Sequence, residues 1–238
     1  MHWHLPTINH IDLSNIFSFP VSSLTSCVNL HRLDIFYTNG PLENIVQLEM
    51  TPKIREFNSF LSTEFKLTTK LLRAKGQDGQ PAFNFMDLRR LSIAFDPSDS
   101  EEDSLRYLLR STKSLERLRL SVRQSLMGLN DIILSSNAST LEVLDLMMEV
   151  LLNVHHLSQP LAGLCEVLEA MAGRYKLETL SFEVVVVDNR ETVDFIGPIL
   201  QKVENILVKP GWSVSLQVVI GFIRLDRSAS ANFKLLSQ

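Results

Sequence analysis

Residues 88–122, LRRLSIAFDPSDSEEDSLRYLLRSTKSLERLRLSV, hold the pattern that decides the fold. The stretch opens on Leu88-Leu91-Ile93 and nears its end on Leu115-Leu118-Leu120. Each phrase is an apolar residue, two positions, an apolar residue, one position and a third apolar residue. Leu118-Arg119-Leu120 alternates apolar and polar, the mark of a strand with one buried face. Between the phrases, Ser98–Thr112 has the marks of a helix. Ser98 and Glu101 stand at capping-box spacing, and acidic residues crowd the first turn, where the helix dipole favours negative charge. Leu105, Leu108 and Leu109 then form an apolar stripe. The stretch reads as strand, loop, helix, loop, strand.

The same phrase recurs outward in both directions: Ile8-Ile11-Leu13, Leu30-Leu33-Ile35, Leu141-Leu144-Leu146 and Leu177-Leu180-Phe182. A poor copy begins at Ile54, and a final strand-like run, Val214 to Phe222, closes the series. Helical periodicity lies between copies. Pro160–Tyr175 opens with a proline suited to a first helical turn, and carries Leu161, Leu164, Cys165, Leu168 and Met171 on one face. Glu191–Val208 reads as a helix that Pro198 is expected to kink or split. Thr63–Ala74 and Leu129–Ser135 have fainter helical patterns. Lys75–Pro81 (KGQDGQP) reads as a loop insertion without a domain boundary, because the phrases continue on both sides. Parallel strands need such crossovers, and a unit that cannot bury its own apolar face does so by stacking. The expectation is a single α/β domain over residues 1–238: an irregular horseshoe solenoid of seven to eight repeats. Parallel strands line its concave face and helices its convex face.

These phrases resemble leucine-rich repeats, whose strand segment is L-x-x-L-x-L. The irregular spacing, and stretches such as residues 88–122 and 159–173, are similar to the repeat domains of fungal (basidiomycete) F-box-type proteins. The resemblance implies a substrate-holding role in a ubiquitin-ligase receptor. The F-box that would bind the ligase adaptor is not readable here, because the first phrase begins at Ile8. Adaptor binding therefore belongs to this chain only if an F-box lies outside it. Family repeats also carry Asn or Cys three residues after the third apolar position. Here those positions hold Ile16, Asp96, Arg123, Glu149 and Val185, so less regular stacking is expected.

Composition narrows the function classes. Hydrophobic residues are 45% of the 238 and charged residues 21%, enough apolar material for a continuous core. The net charge of −4 shows no concentrated basic face of the kind nucleic-acid modules carry. No apolar stretch has the length of a membrane span, and the N-terminal residues have no secretory pattern. Two cysteines, Cys27 and Cys165, make no disulfide framework. An intracellular location, cytoplasmic or nuclear, is the economical expectation. Neither nucleic-acid nor membrane binding is expected.

On this reading the positions flanking each strand's apolar residues share the concave face. They include His10, Asp12 and Ser14 on the first strand, and Val143, Met147, Thr179 and Ser181 near the last. Eight of them are the candidate partner-binding residues: Arg32, Asp34, Phe36, Arg90, Arg117, Arg119, Asp145 and Glu183. Aromatic and arginine side chains supply most interface hot spots. Arg90, Arg117 and Arg119 fall on adjacent strands, where they suit an acidic or phosphorylated segment unless Asp34, Glu116 or Asp145 neutralises them. His2, His4, His10, His155 and His156 complete no ligand motif, so no metal or cofactor site is expected. No nucleophile elbow, P-loop, zincin or dinucleotide pattern is present, so no catalytic residue is assigned. Cys165 reads as core. The leading expectation is a non-catalytic protein-interaction module. The alternatives are a degenerate repeat fragment without independent function, and an enzyme with an unrecognised site in the concavity. Trp3, Leu5, Ile8 and Ile11 read as strand and core rather than as a polar cap.

Overall fold

The structure, a computed structural model, describes residues 7–16, 21–36, 51–60, 71–72, 74–75, 79, 81–95, 101–123, 129–134, 139–151, 158–187, 196–212 and 215–225. It is an α/β fold with one open sheet of eight strands, ordered β1 to β8 as in sequence. The strands are β1 (His10–Ser14), β2 (Arg32–Phe36), β3 (Glu56–Phe60), β4 (Arg90–Phe95), β5 (Arg117–Arg123), β6 (Val143–Leu151), β7 (Thr179–Val187) and β8 (Gln217–Leu225). Every neighbouring pair is parallel. Among the described residues, four helices with printed bounds lie between strands: α1 (Glu101–Ser111), α2 (Leu129–Leu134), α3 (Ser158–Met171) and α4 (Ile196–Leu207). A 3-10 turn, Val21–Ser26, joins β1 to β2.

Each phrase places its first apolar residue just before a strand and the other two inside it. Leu30, Leu88, Leu115, Leu141 and Leu177 are fully buried, as are the paired positions Leu33/Ile35, Leu91/Ile93, Leu118/Leu120 and Leu144/Leu146. They share one core with Leu105, Leu108 and Leu109 of α1, Ile132 and Ile133 of α2, Leu164, Val167, Leu168 and Met171 of α3, and Val203 and Ile206 of α4. Burying one such side chain stabilises the fold by about 1.5–3 kcal/mol. A backbone motif repeats at each strand entrance. The carbonyl of Asn9 accepts the N–H groups of His31 and Arg32, at 2.9 and 3.0 Å. His31 does the same for Arg55 and Glu56, Arg55 for Arg89 and Arg90, Arg89 for Glu116 and Arg117, Glu116 for Glu142 and Val143, and Glu142 for Glu178 and Thr179. The polar groups of each entrance are thereby satisfied by the preceding one.

The copy at Ile54 does form a strand, although its third position is Ser59 rather than an apolar residue. Its second position joins an aromatic cluster. Phe57 packs against Phe85 at a ring separation of 5.7 Å, and Phe83 lies 6.5 Å from Phe85. The loop-like Lys75–Pro81 insertion closes on itself through an antiparallel bridge between those two residues, and β3 and β4 pair across it.

The strands lengthen along the sheet. β1 to β3 have five residues each, whereas β5 has seven and β6 and β7 nine. β5 extends to Arg123, and β6 and β7 run through Glu149 and Val185. Val122 and Met148 thereby add a further buried row. β-branched residues such as Val184–Val187 favour this extended continuation.

Pro198 lies near the first described end of α4. The helix is described over Ile196–Leu207, with Pro198 the third described residue. Residues 191–195, expected to be helical, lie outside the described residues. α3 is described from Ser158, with Pro160 near that end, and its end is followed by Gly173 at φ 75°. The helix expected from Ser98 is described from Glu101, and that expected from Thr63 is described only at Leu71 and Leu72. The last strand lies at Gln217–Leu225, shifted from the expected Val214–Phe222. Pro210 and Gly211 hold the chain in a turn before it, and Trp212 Nε1 donates to the Ile206 carbonyl at 3.1 Å. Among the described residues, no helix is long and apolar enough to cross a membrane.

Candidate functional site

Alternation along parallel, in-register strands gives the sheet two unlike faces. The apolar positions face the helices. The intervening positions line up in rows on the other face. One row runs His10, Arg32, Glu56, Arg90, Arg117, Val143, Thr179 and Gln217. The next runs Asp12, Asp34, Asn58, Ser92, Arg119, Asp145, Ser181 and Val219. All eight candidate residues lie on this polar face, but the structure divides them between two environments.

Over β1 to β3 the face is engaged with itself. Asp34 is only 3% exposed. Its Oδ2 lies 2.8 Å from His10 Nε2 and 2.9 Å from both Arg32 Nε and Nη2, while Asn58 Nδ2 donates to Oδ1. Burial by itself would raise the Asp34 carboxyl. The hydrogen bonds from Arg32, Asn58 and His10, with the charge of Arg32, outweigh that and hold it below the usual carboxylate range. The bond to Asp34 in turn raises the Arg32 guanidinium, against a smaller opposing effect of burial. Asp34 is thus the centre of an internal network rather than a group presented to a partner. A row position cannot stay solvated when its own strand and both neighbouring strands supply donors to it. Phe36 is half-buried beside this network.

Over β4 to β7 the face carries the arginine candidates and a depression. Arg90, Arg117 and Arg119 are exposed, and Arg90 and Arg117 are register partners. Arg90 Nη1 reaches Glu56 at 3.2 Å. The same glutamate is 3.7 Å from Arg32, so one carboxylate serves two guanidinium groups. Glu116, expected as a neutralising neighbour of the cluster, instead pairs with Arg89 at 3.3 Å. Beyond the arginines, Arg119, Asp145, Leu146, Met147, Ser181 and Glu183 line a shallow open depression of about 210 Å³. It brings together three candidates, Arg119, Asp145 and Glu183. It adds Met147 and Ser181, which the row pattern places on the face without singling them out.

One feature of the face has no sequence signal. Ser92 is 8% exposed, and its Oγ is buried without a hydrogen-bond partner among the described residues. A serine at an alternating polar position reads as solvated; only the side chains of the adjacent strands close it off. The cysteines are not activated. Burial pushes the thiols of both Cys27 and Cys165 up, the latter against the pull of Lys202. Cys165 packs against the core. Among the described residues, no group of three or more His, Cys, Asp or Glu side chains is placed to hold a metal ion. His2, His4, His155 and His156 lie outside the described residues, as do Trp3 and Leu5. Comparison with protein-family models, with curated proteins and with solved structures finds no match to this chain.

Proposed function

We propose that this chain is a non-catalytic leucine-rich-repeat solenoid that binds a protein partner through the polar face of its sheet, over β4 to β7. The observation that carries the reading is the division of that face. Over β1 to β3 the polar groups are committed to one another around Asp34. Over β4 to β7, exposed arginines border an open depression of mixed charge containing Met147. Arginine forks and a pliable thioether are side chains that recur in protein interfaces. The eight strands in sequence order, the recurrent entrance motif and the L-x-x-L-x-L phrases support the solenoid. Within this class, the sequence resemblance favours a substrate-holding part of an F-box-type receptor acting inside the cell.

Affinity capture with the tagged chain, beside an Arg90/Arg117/Arg119→Glu variant of matched melting temperature, tests the reading. A partner held by the parent chain and lost from the variant is expected. Identical captures from both would overturn it. A ubiquitin-ligase adaptor among the captured proteins would support the receptor assignment.

A further inference from the structure

We propose that two copies of this chain pair through the outer edges of β8, antiparallel about a twofold axis at Gly221, to make one continuous sheet. β8 ends the sheet, and among the described residues only β7 pairs with it. The Gln217 N–H donates to the Glu178 carbonyl on the β7 side at 2.8 Å. Along a strand, successive residues direct their backbone groups to opposite edges. The N–H and C=O groups of Val218, Ile220, Phe222 and Arg224 therefore lie on the free edge.

This end strand is apolar on both faces. Register puts Val218 and Ile220 in the rows of Leu180 and Phe182, which β8 helps to bury to 1% and 5% exposure. Val218 and Ile220 themselves are 37% and 38% exposed. Val219, in the row of Ser181 on the polar face, is 47% exposed. Residues 217–223 carry no charge and no proline. Edge strands that face solvent are ordinarily guarded by charge, proline or brevity. β1, at the opposite end of the sheet, has such guards: it spans five residues and exposes His10 and Asp12.

The chemistry of the β8 edge selects a second β8 as its occupant. An antiparallel pair about Gly221 overlaps all nine residues of each strand. It sets Val218 against the partner's Arg224 and Ile220 against the partner's Phe222. All of these have outward backbone groups, so they form the hydrogen-bonded pairs. Gly221 meets its own counterpart in a pair of the other kind, whose Cα atoms approach to about 4.5 Å, and no side chain obstructs the axis. Each Arg224 lies opposite a valine, so no like charges oppose one another. Pairing β8 with β1 would instead continue the rows with Asp12 beside Val219, and would leave an unguarded edge after every addition. The twofold arrangement consumes both unguarded edges and leaves a guarded β1 at each end. The polar face over β4 to β7 takes no part in it, so this inference does not depend on the partner proposed for that face.

Sedimentation velocity of the full chain over a concentration series reads the assembly, and amide exchange reads the edge. A monomer–dimer equilibrium is expected, with slow exchange at Val218 and Ile220 arising only as the dimer fills. Val219→Lys puts a charge on the exposed strand, and Ile220→Pro removes an outward N–H while sparing the bonds to β7. Each should weaken dimerisation by about tenfold or more, with the dilute monomer still folded. A monomer at every concentration would overturn the proposal. So would slow exchange at Val218 and Ile220 in the monomer, the sign that the chain's own residues cover the edge. Species that grow beyond the dimer would overturn it in favour of head-to-tail addition, and a dimer that both folded variants leave undiminished would place the contact elsewhere.

Discussion

Asp34 illustrates how one side chain organises its surroundings. A carboxylate 3% exposed in a sheet costs free energy unless donors surround it, and Arg32, His10 and Asn58 do so from three adjacent strands. Asp34→Asn keeps the shape but puts an amide N–H₂ against donors. We expect it to lower stability at neutral pH by about 1–3 kcal/mol, measured by urea unfolding. Because the folded carboxyl lies below its unfolded value, its contribution is fully present above the unfolded pKa of about 3.9. It is lost as pH falls through the folded value. The parent chain should therefore lose stability below about pH 4 more steeply than Asp34→Asn. Parallel pH profiles would show instead that the network contributes equally to both states.

At the scale of elements, the loops after α3 and α4 approach each other through two glycines. Gly173 N–H donates to the Gly211 carbonyl at 2.8 Å. Gly211 sits at φ 120°, and a Cβ there would lie 3.0 Å from Gly173 N and 3.3 Å from its Cα. Both the backbone conformation and the contact exclude a side chain. Gly211→Ala should cost about 1–2 kcal/mol from the conformation alone, with a lower melting temperature. Amide exchange should quicken first at Gly173 and at the ends of α3 and α4. A melting temperature equal to the parent's would mean that the two loops part without penalty. The same glycine contact helps place β8, whose start follows this turn.

For the whole molecule, strand order equals sequence order, so every strand except the terminal two is held by its immediate predecessor and successor. Stability in such arrays is a sum of unit and neighbour contributions. Leu13 and Leu120 are both buried third positions, one in the terminal β1 and one in the interior β5. Truncation to Ala should cost either site about 2–5 kcal/mol locally. The consequences should differ in reach. Leu13→Ala should release β1, seen as faster amide exchange over residues 10–14 with β6 and β7 still protected. Leu120→Ala should lower protection on both sides of β5. Equal loss of protection throughout the sheet in both variants would mean that it unfolds as one cooperative unit.

Read alone, the sequence determines the strands and their core face. The L-x-x-L-x-L phrase is a local pattern, and parallel stacking turns each local pattern into a row. Leu88-Leu91-Ile93 and Leu115-Leu118-Leu120 needed no distant information to be placed. Even the poor copy at Ile54 pointed to β3, though the aromatic packing of Phe57 and Phe85 that completes it joins residues far apart in sequence. Membership of the polar face was legible for the same reason, and all eight candidate residues lie on it. What each of them does was not legible, because exposure and pairing depend on the strands on either side. Asp34 and Asp145 occupy equivalent positions in one row. The first is enclosed by donors from β1, β2 and β3; the second borders an open depression. Ser92 looks like any solvated serine until its neighbours shut it in. Periodicity is carried by the chain itself. Burial is conferred by neighbours, and only the tertiary structure supplies those.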